Sequence, residues 1–167
     1  MNKAADRNPA RRGRDWLVLL GFILACLGIA ALGGAITSLS VASWYPTLIK
    51  PAFNPPAQVF APVWTVLYVL MAISAWRVWC QPQSARRTRA LALFVVQLAL
   101  NFAWSCLFFG LMAVAAAFIE IVLLWLAIVA TALSFARIDR TAGWLMVPYA
   151  IWVLFAAVLN GAIWWLN

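Results

Sequence analysis

Apolar residues run almost unbroken through five stretches of this chain, and the polar and proline-rich breaks between them mark the elements. Trp16 to Ile49 carries no charged side chain over 34 residues. Its first part predicts a membrane-spanning helix over 16–39, because about 20 apolar residues cross a bilayer and the run exceeds a signal-peptide core of about 7–15 residues. Arg11-Arg12 is followed by Gly13-Arg14-Asp15 rather than by the apolar residues of a twin-arginine signal. Residues 1–15 therefore read as a basic N-terminal segment.

Pro46, Pro51, Pro55, Pro56 and Pro62 are five of the eight prolines, packed into 17 residues. Each interior proline removes a backbone donor and clashes with the preceding turn. The pattern predicts a stiff connection there, with Trp44 and Tyr45 at interface height, and then a second helix over 60–79, where Arg77 is near enough to the end to snorkel. Gln81–Arg89 reads as a polar, basic loop. Ala90 to Ala136 spans 47 residues with one charge, Glu120. A single helix of that length would be about 70 Å, more than twice the hydrocarbon thickness. A turn near Gly110–Ala115 gives helices over 90–109 and 116–136, and a fifth follows over 143–165. The expected fold is an all-α membrane protein, a five-transmembrane-helix bundle forming one domain over 16–167.

Composition agrees: 67% of residues are hydrophobic and 10% charged, against roughly 45–50% and about 25% in soluble domains. The formal charge of +8 lies in short basic groups beside the spans, which cytoplasmic loops explain better than nucleic-acid binding. The N-terminal segment, the second connection with Arg77 and the fourth connection hold eleven of the twelve basic residues; the opposite side holds Lys50 alone. The positive-inside rule thus predicts a cytoplasmic N-terminus in the cell membrane. Histidine is absent and the three cysteines are widely spaced, so no zinc site or disulfide framework is expected. No set of catalytic groups can be assembled either.

Polar and aromatic residues inside spans carry the functional signal, since lipid offers them no water. Gln97, Asn101, Trp104, Ser105 and Phe108 share one face of the third helix. Tyr149, Trp152, Ala156 and Asn160 share a face of the fifth, and Trp64 and Tyr68 stand one turn apart on the second. Gln97, Ser105 and Thr131 fit interhelical hydrogen bonding as well as they fit a site. Glu120, the only acid inside a span, fits either role. Trp64, Tyr68, Asn101, Trp104, Tyr149 and Trp152 together suggest a slot for a large planar ligand.

The run Trp44-Tyr45-Pro46-Thr47-Leu48-Ile49-Lys50-Pro51-Ala52-Phe53-Asn54-Pro55-Pro56 resembles the signature loop of the tryptophan-rich sensory protein family, also called the translocator protein or peripheral-type benzodiazepine receptor family. Pro62, Trp64 and Tyr68, then Gln97-Leu98, Asn101, Trp104 and Phe108-Phe109-Gly110, and finally Pro148-Tyr149, Trp152, Phe155-Ala156 and Leu159-Asn160 extend the likeness over about residues 16–165. The resemblance implies a five-helix bundle, often a homodimer, that binds porphyrins, haem and, in some members, drug-like ligands. It implies a pocket under the first connection, lined by Tyr45, Trp64, Asn101 and Trp152, with Ala156 on the same face. Porphyrin or haem would be a ligand, with no cofactor required; light-dependent porphyrin breakdown or a scaffold role through helix contacts are the alternatives. The family's sterol pattern, a Tyr followed by Arg or Lys late in the fifth helix, is missing: no basic residue follows Arg140.

Overall fold

The computed structural model describes residues 9–167, with side chains from Asp15 onward. Helix α1 runs over Pro9–Ser38, α2 over Phe60–Trp79, α3 over Ala85–Ser105, α4 over Val114–Ala136, α5 over Arg140–Leu145 and α6 over Val147–Leu166. They provide five segments long and apolar enough to cross a membrane, the last formed by α5 and α6 together. The described residues contain helices and turns, and no strand. The protein is a multi-pass five-helix membrane bundle.

The helix ends differ from those expected, each for a local reason. Residues 1–8 of the expected basic N-terminal segment lie outside the described residues; from Pro9 on, the chain is already helical. Proline suits a first helical position, where its missing N–H would have no partner anyway. Helix α3 starts at Ala85 and not at residue 90, because the Ser84 hydroxyl accepts a hydrogen bond from the Arg87 N–H at 3.2 Å, a serine N-cap. Arg86, Arg87 and Arg89 thus belong to a helix and not to a loop. Helix α4 begins two residues early, at Val114. The fifth span begins at Arg140, capped by Asp139, whose carboxylate accepts from Ala142 N–H at 3.1 Å. It breaks at Met146, since Pro148 cannot continue an uninterrupted helix.

Between α3 and α4 the chain passes through a π-helical turn, Cys106–Gly110. Met112 follows with φ 56°. That left-handed residue lets the Ala113 N–H reach back to the Leu107 carbonyl at 2.9 Å, which closes the turn. The proline-rich connection holds only two short 3-10 turns, Tyr45–Thr47 and Ala57–Val59. It is tied to the bundle end at two points. Ser40 Oγ donates to the Phe109 carbonyl at 2.8 Å. The Asn167 side chain accepts from Ile49 N–H and donates to Ile49 O, each at 3.0 Å.

Helix α1 packs on α2 and α3, α4 packs on α3, α5 and α6, and α2 packs on α5. The exterior is that of a membrane bundle, and polar side chains join the apolar core. Leu24, Ile119, Leu123, Leu133, Ile151 and Val158 are exposed, whereas Ser74, Gln97, Asn101, Glu120, Thr131 and Asn160 are buried. Lipid accepts the former, and the interior supplies partners for most of the latter. Ser74 Oγ, for example, donates to the Ala142 carbonyl at 2.7 Å and so joins α2 to α5.

Candidate functional site

Four-residue spacing puts Phe60, Trp64 and Tyr68 on one face of α2. Tyr68 and Tyr149 are buried aromatics facing Asn101 from opposite sides. The Tyr68 hydroxyl donates to Asn101 Oδ1, and Asn101 Nδ2 donates to the Tyr149 hydroxyl at 2.9 Å. One amide therefore joins α2, α3 and α6. Trp64 packs beside this group, 5.7 Å from the Tyr68 ring and 6.2 Å from the Tyr149 ring by centroids. Trp152 and Ala156, a turn and two turns beyond Tyr149, pack against the same core. Trp152 lies 5.9 Å from Phe60 and 5.6 Å from Phe155. Its indole N–H is buried without a hydrogen-bond partner among the described residues.

The other two expected residues gather in a second cluster nearer the proline-rich connection. Trp104 stacks on Phe108 at 5.2 Å and donates its indole N–H to Asn160 Oδ1 at 3.1 Å. It touches both clusters. Tyr45 packs on Phe108 and Phe109 at 6.3 and 5.9 Å and donates its hydroxyl to Asn54 Oδ1 at 2.9 Å. Burial pushes the Tyr45 hydroxyl above its ordinary pKa, and the bond to Asn54 offsets only part of this, so it remains a donor at neutral pH. Lys50 Nζ lies 4.8 Å from the centre of the Tyr45 ring. Its hydrogen bonds go only to the Leu48 and Pro46 carbonyls, at 3.1 and 3.3 Å. The lone cation of this end thus has no carboxylate partner among the described residues.

Phe60 escaped the sequence reading, although its spacing of four from Trp64 was the available signal. Asn160 lies buried on the α6 face that its spacing from Tyr149 and Trp152 predicts, but its role in holding Trp104 depends on the rotation of α6 against α3. Glu120 is buried, and among the described residues both its carboxylate oxygens lack a hydrogen-bond partner, as does Gln97 Oε1. Among the described residues no group of His, Cys, Asp and Glu could hold a metal ion.

The opposite end is polar. Arg77 Nη2 lies 2.8 Å from Asp139 Oδ2. Burial raises the Asp139 carboxyl, but the Ala142 N–H and the Arg77 guanidinium outweigh it and hold the group below its ordinary pKa. Arg87 donates to the Trp79 and Gln81 carbonyls at 3.0 and 2.7 Å.

The profile of the TspO/MBR family matches residues 22–166. The chain is 41% identical over 143 residues to a tryptophan-rich protein TspO of Chlorobaculum tepidum, covering 85% of this chain and 90% of that one. It is 42% identical over 146 residues to a tryptophan-rich sensory protein of Cereibacter sphaeroides, covering 87% and 89%. It is 36% identical over 155 residues to a translocator protein of Sus scrofa, covering 89% of each.

Proposed function

Because the chain belongs to the TspO/MBR family, we propose that this membrane protein binds porphyrin-type tetrapyrroles inside the bundle, beneath the proline-rich connection, and senses, sequesters or moves them. The observation that carries this reading is the layer of rings from α2 and α6 around Asn101, together with a buried Trp152 indole N–H that has no partner among the described residues. A porphyrin is a flat apolar disc with two carboxylates on one edge. Broad aromatic faces suit the disc, and the spare indole N–H suits an acceptor on it. Tyr45 and Lys50 in the connection above suit the carboxylate edge, and proline stiffening lowers the ordering cost of closing that connection over a ligand.

A buried aromatic anchor is worth about 2 kcal/mol on truncation, roughly 30-fold in affinity. Trp64→Ala and Trp152→Ala are therefore expected to weaken protoporphyrin binding by about that factor. Trp165→Ala, at a side chain 89% exposed, is expected to leave it unchanged. Titration of the purified protein by fluorescence quenching in darkness checks this, and equal losses in all three folded variants would discard the site. Repeating the titration under light with product analysis separates binding from breakdown: conversion of the porphyrin would assign an enzyme instead.

The orientation we infer puts the N-terminus in the cytoplasm. Asn167 and Ile49 are bonded to one another, which puts Asn167 at the end where Lys50 is the only basic residue among those described. A reporter that fluoresces only in the cytoplasm, fused after Asn167, is expected to stay dark; bright cells would reverse the topology.

A further inference from the structure

At the end of the bundle remote from the aromatic rings, α3 and α4 enclose a groove of about 570 Å³ lined by Arg86, Arg89, Ala90, Leu93, Ser134 and Arg137. Arg86 and Arg89 are three residues apart on the first turns of α3, so both guanidinium groups project from one face. Arg137 caps the last turn of α4 across from them, with Ser134 a turn before it. Two other arginines at this end are occupied, Arg77 by Asp139 and Arg87 by backbone carbonyls. The side chains of Arg86, Arg89 and Arg137 have no hydrogen bond or ion pair to protein among the described residues, and Asp139, two residues from Arg137, is already paired with Arg77. Three like charges are thus held around one recess. Orientation in the membrane accounts for basic residues on this face, but not for their convergence on a groove.

We propose that this groove binds the phosphate of an anionic phospholipid. Guanidinium groups match phosphate oxygens in bidentate geometry. The Ser134 hydroxyl supplies one more donor. Below the arginines the lining turns apolar, with Ala90 and Leu93, and exposed Val96 and Leu133 continue that surface toward lipid. A headgroup above and acyl chains below fit this sequence of surfaces, whereas a free anion uses only its upper part. Basic recesses between membrane helices are a recurring form of headgroup recognition.

The test uses the full-length protein in neutral detergent, titrated with short-chain phosphatidylglycerol and with phosphatidylcholine of the same chains and followed by native mass spectrometry. Phosphatidylglycerol is expected to bind about tenfold tighter than phosphatidylcholine, a preference the R86Q/R89Q/R137Q variant loses. Should that variant misfold, R86K/R89K/R137K keeps the charge and the topology but gives up the fork geometry, and is expected to bind phosphatidylglycerol about threefold more weakly than the parent. Arg140→Gln, on the same face but outside the groove, is expected to bind as the parent does. Equal affinity for the two lipids, an undiminished preference in the folded glutamine variant, or parental affinity for phosphatidylglycerol in the lysine variant would overturn the proposal. Displacement of phosphatidylglycerol by an equal concentration of inorganic phosphate would overturn its membrane source.

Discussion

Replacing Gly143 with alanine is expected to destabilise the bundle by about 3 kcal/mol, the upper part of the range for overpacking a tight contact. A Cβ at this position would stand 2.5 Å from Ala136 Cβ, 2.8 Å from Ala136 Cα and 3.0 Å from Ala136 N. Two of those atoms are backbone, so no rotamer change relieves the contact; α5 must move away from α4. That movement pulls on the Asp139 cap and on the buried Ser74 bond to Ala142, which spreads the damage to α2. Adding Ala136→Gly removes only the nearest atom and is expected to recover less than half of the loss. Gly21→Ala, where nothing lies within 4 Å, is expected to be neutral or slightly stabilising, as alanine is the better helix former. Unfolding in mixed micelles of increasing denaturing detergent reads all three. A Gly143→Ala protein as stable as the parent would mean that the close approach of α5 and α4 is wrong.

Asn101→Leu is expected to cost about 2–3 kcal/mol in the same assay. In water, leaving two buried hydroxyls without partners would cost about 1–3 kcal/mol each. Within a membrane the separated helices find other partners, and single interhelical hydrogen bonds measure nearer 0.6 kcal/mol, with a ceiling of about 1.7. The estimate for Asn101 lies toward the top of what two such bonds allow, because its amide satisfies Tyr68 and Tyr149 at once and is itself buried. Adding Tyr68→Phe and Tyr149→Phe to Asn101→Leu removes the stranded hydroxyls and is expected to restore part of the stability. If the triple variant is less stable than Asn101→Leu alone, the tyrosines have other partners and the three-helix junction does not hang on one amide.

The five spans were legible because charge is so scarce: each run with at most one charge is long enough to be one helix, or, between Ala90 and Ala136, two. Their ends were harder to read. Ser84 and Asp139 are ordinary N-cap residues, but the arginines beside them resemble a loop when charge alone is weighed. Pro148 announced a break in the fifth span that the apolar run concealed. For the candidate site, helical spacing gives the face on which a side chain lies and leaves open which face of the neighbouring helix it meets. Asn101, Tyr68 and Tyr149 thus fell on inward faces by periodicity, whereas their bonding order follows from the rotation of three helices. Trp104 shares the face of Asn101 but lies about a turn nearer the proline-rich connection, and this difference in height associates it with Tyr45 and Phe108.

The bond pair between Asn167 and Ile49 makes the side-chain amide of Asn167 act as a stand-in peptide group, one donor and one acceptor opposite the main chain of the connection. It divides a long excursion into two shorter ones and so reduces the freedom of the intervening residues, an effect that varies only slowly with length. Both bonds are exposed to solvent, where each contributes about 1 kcal/mol. The clasp is therefore strong enough to keep the connection closed most of the time and weak enough to let go without disturbing the helices, which are held by buried contacts. Release at Ile49 would leave Ser40 bound to Phe109 and the Trp44 and Tyr45 rings packed on Phe108, so the part of the connection that loosens is the stretch from Ile49 onward.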